Sequence, residues 1–284
     1  MDIVTSITNI KNIGDKILCR YTALTSGQIG KFSELGTTSA ALISPTSSAT
    51  PDGSFYWIYV GKDYLGRKKF IADRNIQHSI SWDVINSSGI VGEKIINLGL
   101  GLATRSSIRL LTGGISNTDL DNEWDKIIAK SNLGGAIIAG DTNIWNWSGI
   151  SSTTSSTGTT PANRISRGNG SVTTTNAPTG LASTGVNATT GFRPVLLIEA
   201  LVVDKFLIKK DSNYYSIDPK YYDVELHSFL PLTLTGVSMP NKADIDNFGF
   251  DDINKILSSI TSGSDTFKPI DKFDKFEIKL YKVT

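Results

Sequence analysis

Short aromatic and arginine phrases enclose a long polar tract, and this arrangement limits the folds open to the chain. The phrases are Asn122-Glu123-Trp124-Asp125, Asn143-Ile144-Trp145-Asn146-Trp147 and Asn163-Arg164-Ile165-Ser166-Arg167-Gly168, closing on Gly191-Phe192-Arg193-Pro194-Val195-Leu196. Residues 148–190 are mostly Ser, Thr, Gly and Asn, with little that could build a core. A loop of this length inside a compact domain is usually functional or disordered. Rigid phrases framing a polar loop read as a scaffold that displays a surface, not as a reaction centre.

The 284 residues allow one large domain or two modest ones, with a sizeable core. Charged residues are only 19% and hydrophobic residues 39%, and Gly, Ser, Thr and Asn take their place. That bias favours turns, strands and exposed loops over long helices. A net charge of +1 gives no electrostatic basis for binding nucleic acid or an anionic membrane. Cys19 is the only cysteine, so an intramolecular disulfide is impossible. No apolar run approaches the roughly 20 residues that span a bilayer, so membrane insertion is not expected. Met1-Asp2-Ile3-Val4 lacks the basic start and apolar stretch of a signal peptide.

The pattern along the chain predicts short strands. Gly14 to Tyr21 is a turn pair followed by alternation, and Phe55 to Gly61 reads as a buried strand with Gly66 to Asp73 as its hairpin partner. Ser81 is a plausible N-cap for a short helix from Trp82. Trp124, Ile127 and Ile128 share one helical face, with Asp121 as candidate cap. Pro194 to Val203 reads as a central strand, and residues 206–217 as a hairpin. Residues 241–260 carry a helical pattern and 276–283 an edge-strand pattern. The expected fold class is therefore α+β, with a domain over 1–204 and a small α+β module over 205–284.

Catalytic patterns are scarce. His78 and His227 have no partner at zinc spacing, and Cys19 has no activating neighbour. Gly99-Leu100-Gly101 lacks the strand-then-helix setting of a phosphate loop. Asp244, Asp246, Asp251 and Asp252 are not spaced as a calcium loop. No cofactor, metal or catalytic residue is expected. Arg167 and Arg193 read as structural forks bridging carbonyls or a carboxylate. The hydroxyls and amides of the tract, Ser151, Ser152, Thr153, Asn163, Asn169, Thr173 and Thr175, both donate and accept hydrogen bonds, which suits a sugar ligand.

The framing phrases also carry a resemblance. Arg109-Leu110-Leu111-Thr112 with Asn122-Glu123-Trp124, then Ile144-Trp145-Asn146-Trp147, Arg164-Ile165-Ser166-Arg167-Gly168 and Gly191-Phe192-Arg193-Pro194-Val195 resemble, in order, phrases of the formylglycine-generating-enzyme-like branch of the C-type-lectin fold. Ser79-Ile80-Ser81-Trp82-Asp83 is similar to its upstream helix start. The resemblance implies a C-type-lectin-like domain rich in short strands and long loops. It does not imply the sulfatase-modifying activity, which needs a cysteine pair to hold copper. Cys19 lies outside the matched region of roughly 55–200. Phe32 to Gly36, Ala72 to Asp83 and Gly191 to Glu199, with Asn241 to Ile245 and Phe248 to Asp252, also resemble fibre proteins of phages and phage-tail-like bacteriocins.

That resemblance implies a non-enzymatic tail-fibre or receptor-binding component of a phage or phage-tail-like particle. The chain would be made in a bacterial cytoplasm, assemble with other particle proteins as a homo-oligomer and contact a cell-surface glycan. A capsid decoration protein without a receptor role and a glycan-modifying enzyme on the same scaffold are the alternatives.

Overall fold

The computed structural model describes residues 1–100, 104–116, 118–200, 206–210, 213–217, 222–223, 228–229 and 235–237. The chain divides into one unit of residues 1–99 with 106–199 and a second of 100–105 with 200–284.

Strands of the first unit, in chain order, are β1 (Ile3–Val4), β2 (Lys16–Thr22), β3 (Lys31–Ser33), β4 (Asp52–Lys62), β5 (Lys68–Ala72), β6 (Gln77–His78), β7 (Lys94–Ile96) and β8 (Thr104–Leu110). They continue with β9 (Ser151–Thr157), β10 (Asn163–Gly168), β11 (Leu181–Ala182), β12 (Thr190–Phe192) and β13 (Pro194–Ala200). An eight-stranded sheet runs β1-β2-β4-β5-β13-β8-β7, with β3 on β2. A five-stranded sheet runs β11-β10-β9-β12-β6.

Alternation drives the first sheet. Ile17, Cys19 and Tyr21 of β2 are fully buried, with Ile17 opposite Trp57 and Cys19 opposite Phe55 on β4. Phe32 packs among them, its ring centroid 4.9 Å from Tyr21 and 5.9 Å from Trp57. Such aromatic clusters bury large areas without a disulfide. A second cluster joins Ile58, Ile71, Val195 and Leu197 of the sheet to Trp124, Ile128 and Trp145 from the connecting segments.

Helices are few and short. The α1 helix spans Trp82–Ser87, capped as expected by Ser81, whose hydroxyl accepts from Val84 N at 3.3 Å. The α2 helix spans Thr142–Trp145. Trp124–Ala129 winds as a wide π turn. Its start is held by Asn122, whose Oδ1 accepts from Asp125 N at 2.9 Å, while Asp121 pairs with Lys126 instead of capping.

The α+β expectation is therefore overturned. Among the described residues the fold is mostly β, with strand at 35% and helix at 12%, and it does not fit an α+β chain with a helical module. The physical reason lies in the tract read as a loop. Ser, Thr and Asn support few helical turns, but Thr is a good strand residue. The tract supplies β9, β10, β11 and the start of β12, and buries Ser152, Thr153 and Thr154.

In the second unit, β14 (Phe206–Lys210) and β15 (Asn213–Ile217) pair antiparallel, with Lys210 opposite Asn213. The following strands are β16 (Tyr222–Asp223), β17 (Ser228–Phe229) and β18 (Thr235–Val237). β18 pairs with β15, and β16 with β17. The helical pattern at 241–260, the edge strand at 276–283 and His227 lie outside the described residues.

Candidate functional site

Six buried or half-buried charged groups fix the framing phrases in space. Arg193 is fully buried between β12 and β13. Its Nε donates to Ser152 Oγ at 3.0 Å, and its terminal nitrogens donate to Ala72 O at 2.9 Å and Asn146 O at 3.2 Å. Burial pulls this guanidinium well below its ordinary pKa, although Asp73 works in the opposite sense. Arg167 meets Asp125 through two bonds and donates to Gly113 O at 2.9 Å. Glu123 accepts from both terminal nitrogens of Arg109 at 2.6 Å, from Thr112 N at 3.2 Å and from Lys69. Those bonds close the 109–112 and 122–124 phrases on each other. Arg167 and Arg193 thus act as structural forks, as the sequence predicts.

The candidate ligand residues do not form one surface. Ser152 and Thr153 are buried, and the Ser152 hydroxyl is taken by Arg193. Ser152 leaves the ligand list because its hydroxyl is spent on Arg193, and Thr153 keeps only 8% of its surface exposed. Asn163 is half-buried, and its amide donates to Thr179 O at 2.9 Å. It lies at one end of β10, opposite Ala182. Ser151 lies at the other end, opposite Gly168 and Thr190.

At that second end a compact rim forms. Gly168 N donates to Thr174 O at 3.0 Å and closes the turn over residues 168–174. Within it Ser171 N donates to Thr174 Oγ1 at 3.0 Å, and the Ser171 and Thr173 hydroxyls lie 3.1 Å apart. Asn169 bridges to Ser148 in the adjoining turn, and Asn169 N donates to Trp147 O at 2.9 Å. Ser148, Ser171, Thr173 and Thr174 are exposed, while Asn169, Thr175, Trp147 and Val172 are half-buried. The Thr175 hydroxyl is occupied by Ala177 N at 3.0 Å.

Aromatic bonds anchor the rim. Trp124 Nε1 donates to Val172 O at 2.7 Å, and Trp147 Nε1 donates to Gly140 O at 2.8 Å. Trp124 and Trp145 are fully buried. Ser148, Ser171 and Thr174 are rim residues that sequence reasoning missed. Their signal was the Ser-x-Thr spacing at 171–173, which forms local side-chain-to-backbone turns.

The rim is electrically neutral. The tract 148–190 contains no Asp, Glu, Lys, His or Cys. Of its two arginines, Arg167 is buried on Asp125 and Arg164 stacks 3.9 Å over the Trp82 ring. Cys19 is buried in the first sheet, and burial pushes its thiol up to about 12. His78 sits in β6 with Nδ1 2.8 Å from Ser79 Oγ, and burial holds its pKa below the usual value. Among the described residues no group of His, Cys, Asp and Glu is arranged to hold a metal ion, and no helix is long and apolar enough to cross a membrane.

Comparison with family models, with curated proteins and with solved structures returns no match.

Proposed function

We propose that this chain is a non-enzymatic binding component of a phage or phage-tail-like particle, and that its 148 and 169–174 turns contact a neutral bacterial surface glycan. The observation that carries this reading is the rim itself. Exposed hydroxyls of Ser148, Ser171, Thr173 and Thr174 stand beside the half-buried Trp147 and Val172. Sugars present hydroxyls that need two-way hydrogen-bonding partners, together with C–H faces that lie on apolar or aromatic surface. Short hydroxyl side chains lose little rotamer entropy when they bind. A rim without charge suits a neutral ligand, and weak sites gain strength when repeated on a particle. The order of the framing phrases and the likeness to fibre proteins of phages and phage-tail-like bacteriocins support the particle setting.

The test is binding of the full chain to an array of purified bacterial surface polysaccharides. The variant carries Ser148→Ala, Asn169→Gly and Thr173→Ala. Glycine is used at 169 because Asn169 has φ of 90°, where alanine would be strained. Binding by the wild type that is lost in the variant at unchanged melting temperature is the expected result. Equal binding by both would move the ligand face off this rim, and no binding by either would remove the glycan reading.

A further inference from the structure

Asn169-Gly170 is the only Asn-Gly step in the chain. Its main chain is held on one side, with Asn169 N donating to Trp147 O and Asn169 O accepting from Gly149 N, both at 2.9 Å. The other side is open. Gly170 is exposed, and neither its N–H nor the Asn169 side-chain amide has a protein partner among the described residues. Every other asparagine precedes a bulkier residue, and several have their side chains occupied, whereas the Asn75 amide, also without a partner, is buried. Asn122 and Asn163 donate to the Asp119 and Thr179 carbonyls, Asn146 donates to Asp73 O, and Asn176 and Asn187 accept from Ser166 N and Thr189 N.

We propose that Asn169-Gly170 is a self-modification site, at which the side-chain amide is converted to an acid without an enzyme. The Gly170 nitrogen gives up its proton to base and attacks Asn169 Cγ. The Cγ–Nδ2 bond breaks, ammonia leaves carrying a proton, and a five-membered imide closes. Water then adds to one of the two imide carbonyls and opens the ring. Opening on one side gives an ordinary aspartate. Opening on the other gives an isoaspartyl link, with an extra methylene in the main chain. One water is consumed, one ammonia is released and nothing is oxidised or reduced. The absence of a Cβ at residue 170 leaves the attacking nitrogen uncrowded.

The two products differ in consequence. Aspartate places a carboxylate in a tract that otherwise has none. The isoaspartyl link lengthens the main chain inside the bridge to Trp147 and Gly149 and loosens that end of the sheet.

The test is incubation of the full chain at neutral and mildly alkaline pH, followed by digestion and mass analysis for the amide-to-acid gain. A synthetic peptide covering residues 165–175 and the Gly170→Ala variant run beside it. A Cβ at 170 would meet only Thr174 Oγ1, at 4.0 Å, so the variant should keep the wild-type melting temperature. The expected result is that Asn169 converts before any other asparagine, faster at higher pH, with both products present. Conversion in Gly170→Ala should be several-fold slower. If Asn169 stays an amide while the free peptide converts, if another asparagine converts first, or if a folded Gly170→Ala variant converts at the wild-type rate, the proposal is wrong. Should that variant fail to fold, the comparison of wild type with peptide decides alone.

Discussion

Arg167 and Asp125 face each other fork to fork in the interior: a guanidinium nitrogen reaches each carboxylate oxygen at 2.9 Å, and both side chains are almost completely buried. Asn122 Nδ2 completes the carboxylate at 2.7 Å. Removing one partner of such a pair strands a charge in low dielectric. Arg167→Met should therefore cost about 3–5 kcal/mol in urea unfolding. Adding Asp125→Leu to it should recover much of the loss, because no lone charge then remains. A double variant as unstable as the single would show that the arginine's bond to Gly113 O, not the ion pair, holds this region.

Trp124 and Trp145 are both fully buried but are not equivalent. Trp124 Nε1 donates to Val172 O, whereas Trp145 Nε1 has no partner. Trp145→Ala should cost about 3–5 kcal/mol as a cavity. The phenylalanine variants separate the two sites. Trp145→Phe removes a donor that is already unsatisfied, while Trp124→Phe strands a carbonyl, a difference of about 1–3 kcal/mol. Thermal melts of the two variants check the order, and a Trp145→Phe variant that melts below Trp124→Phe would contradict it.

Glu123 makes stability depend on acid. Burial opposes its charge, but donation from Arg109 and the charges of Arg109 and Lys69 outweigh burial and hold it down at about 2, against an ordinary 4.5. A depressed carboxylate stabilises the fold fully above its unfolded value and loses that contribution as pH falls through its folded value. The loss should run between about pH 4.5 and 2 and total on the order of 3 kcal/mol. Glu123→Gln should be less stable at pH 7 and show a flatter acid limb in melts across that window. A variant with the wild-type limb would assign the acid sensitivity to another carboxylate.

Large and planar side chains made part of this fold legible in the sequence. Trp57 and Phe55 in a short aromatic run read as a buried strand, and Arg167 and Arg193 within the framing phrases could be read as internal forks. The hydroxyl residues were not legible in the same way. Ser152 and Ser171 have the same side chain, yet one is locked beneath Arg193 and the other lies on the rim. Composition assigns both to a loop, because a small hydroxyl is accepted equally by solvent and by a polar partner inside a sheet. What separates them is the arginine that arrives 41 positions later. The helical face of Trp124, Ile127 and Ile128 was readable, but the widening of its turn was not.

Arg193 stands alone between β12 and β13, so one residue carries the chain out of the five-stranded sheet and into the eight-stranded one. Each of these late strands lands inside its sheet: β12 between β9 and β6, β13 between β5 and β8. A ribosome releases the chain from the N-terminus, so β12 and β13, each interior to its sheet, emerge after both of their neighbours. Until they do, the edges of β5 and β9 that face them have nothing to pair with. Neither sheet is continuous until a segment of eleven residues, Thr190 to Ala200, follows the first 189. Crowding of several nascent copies on one messenger would make that interval the point at which neighbouring chains most readily take each other's strands.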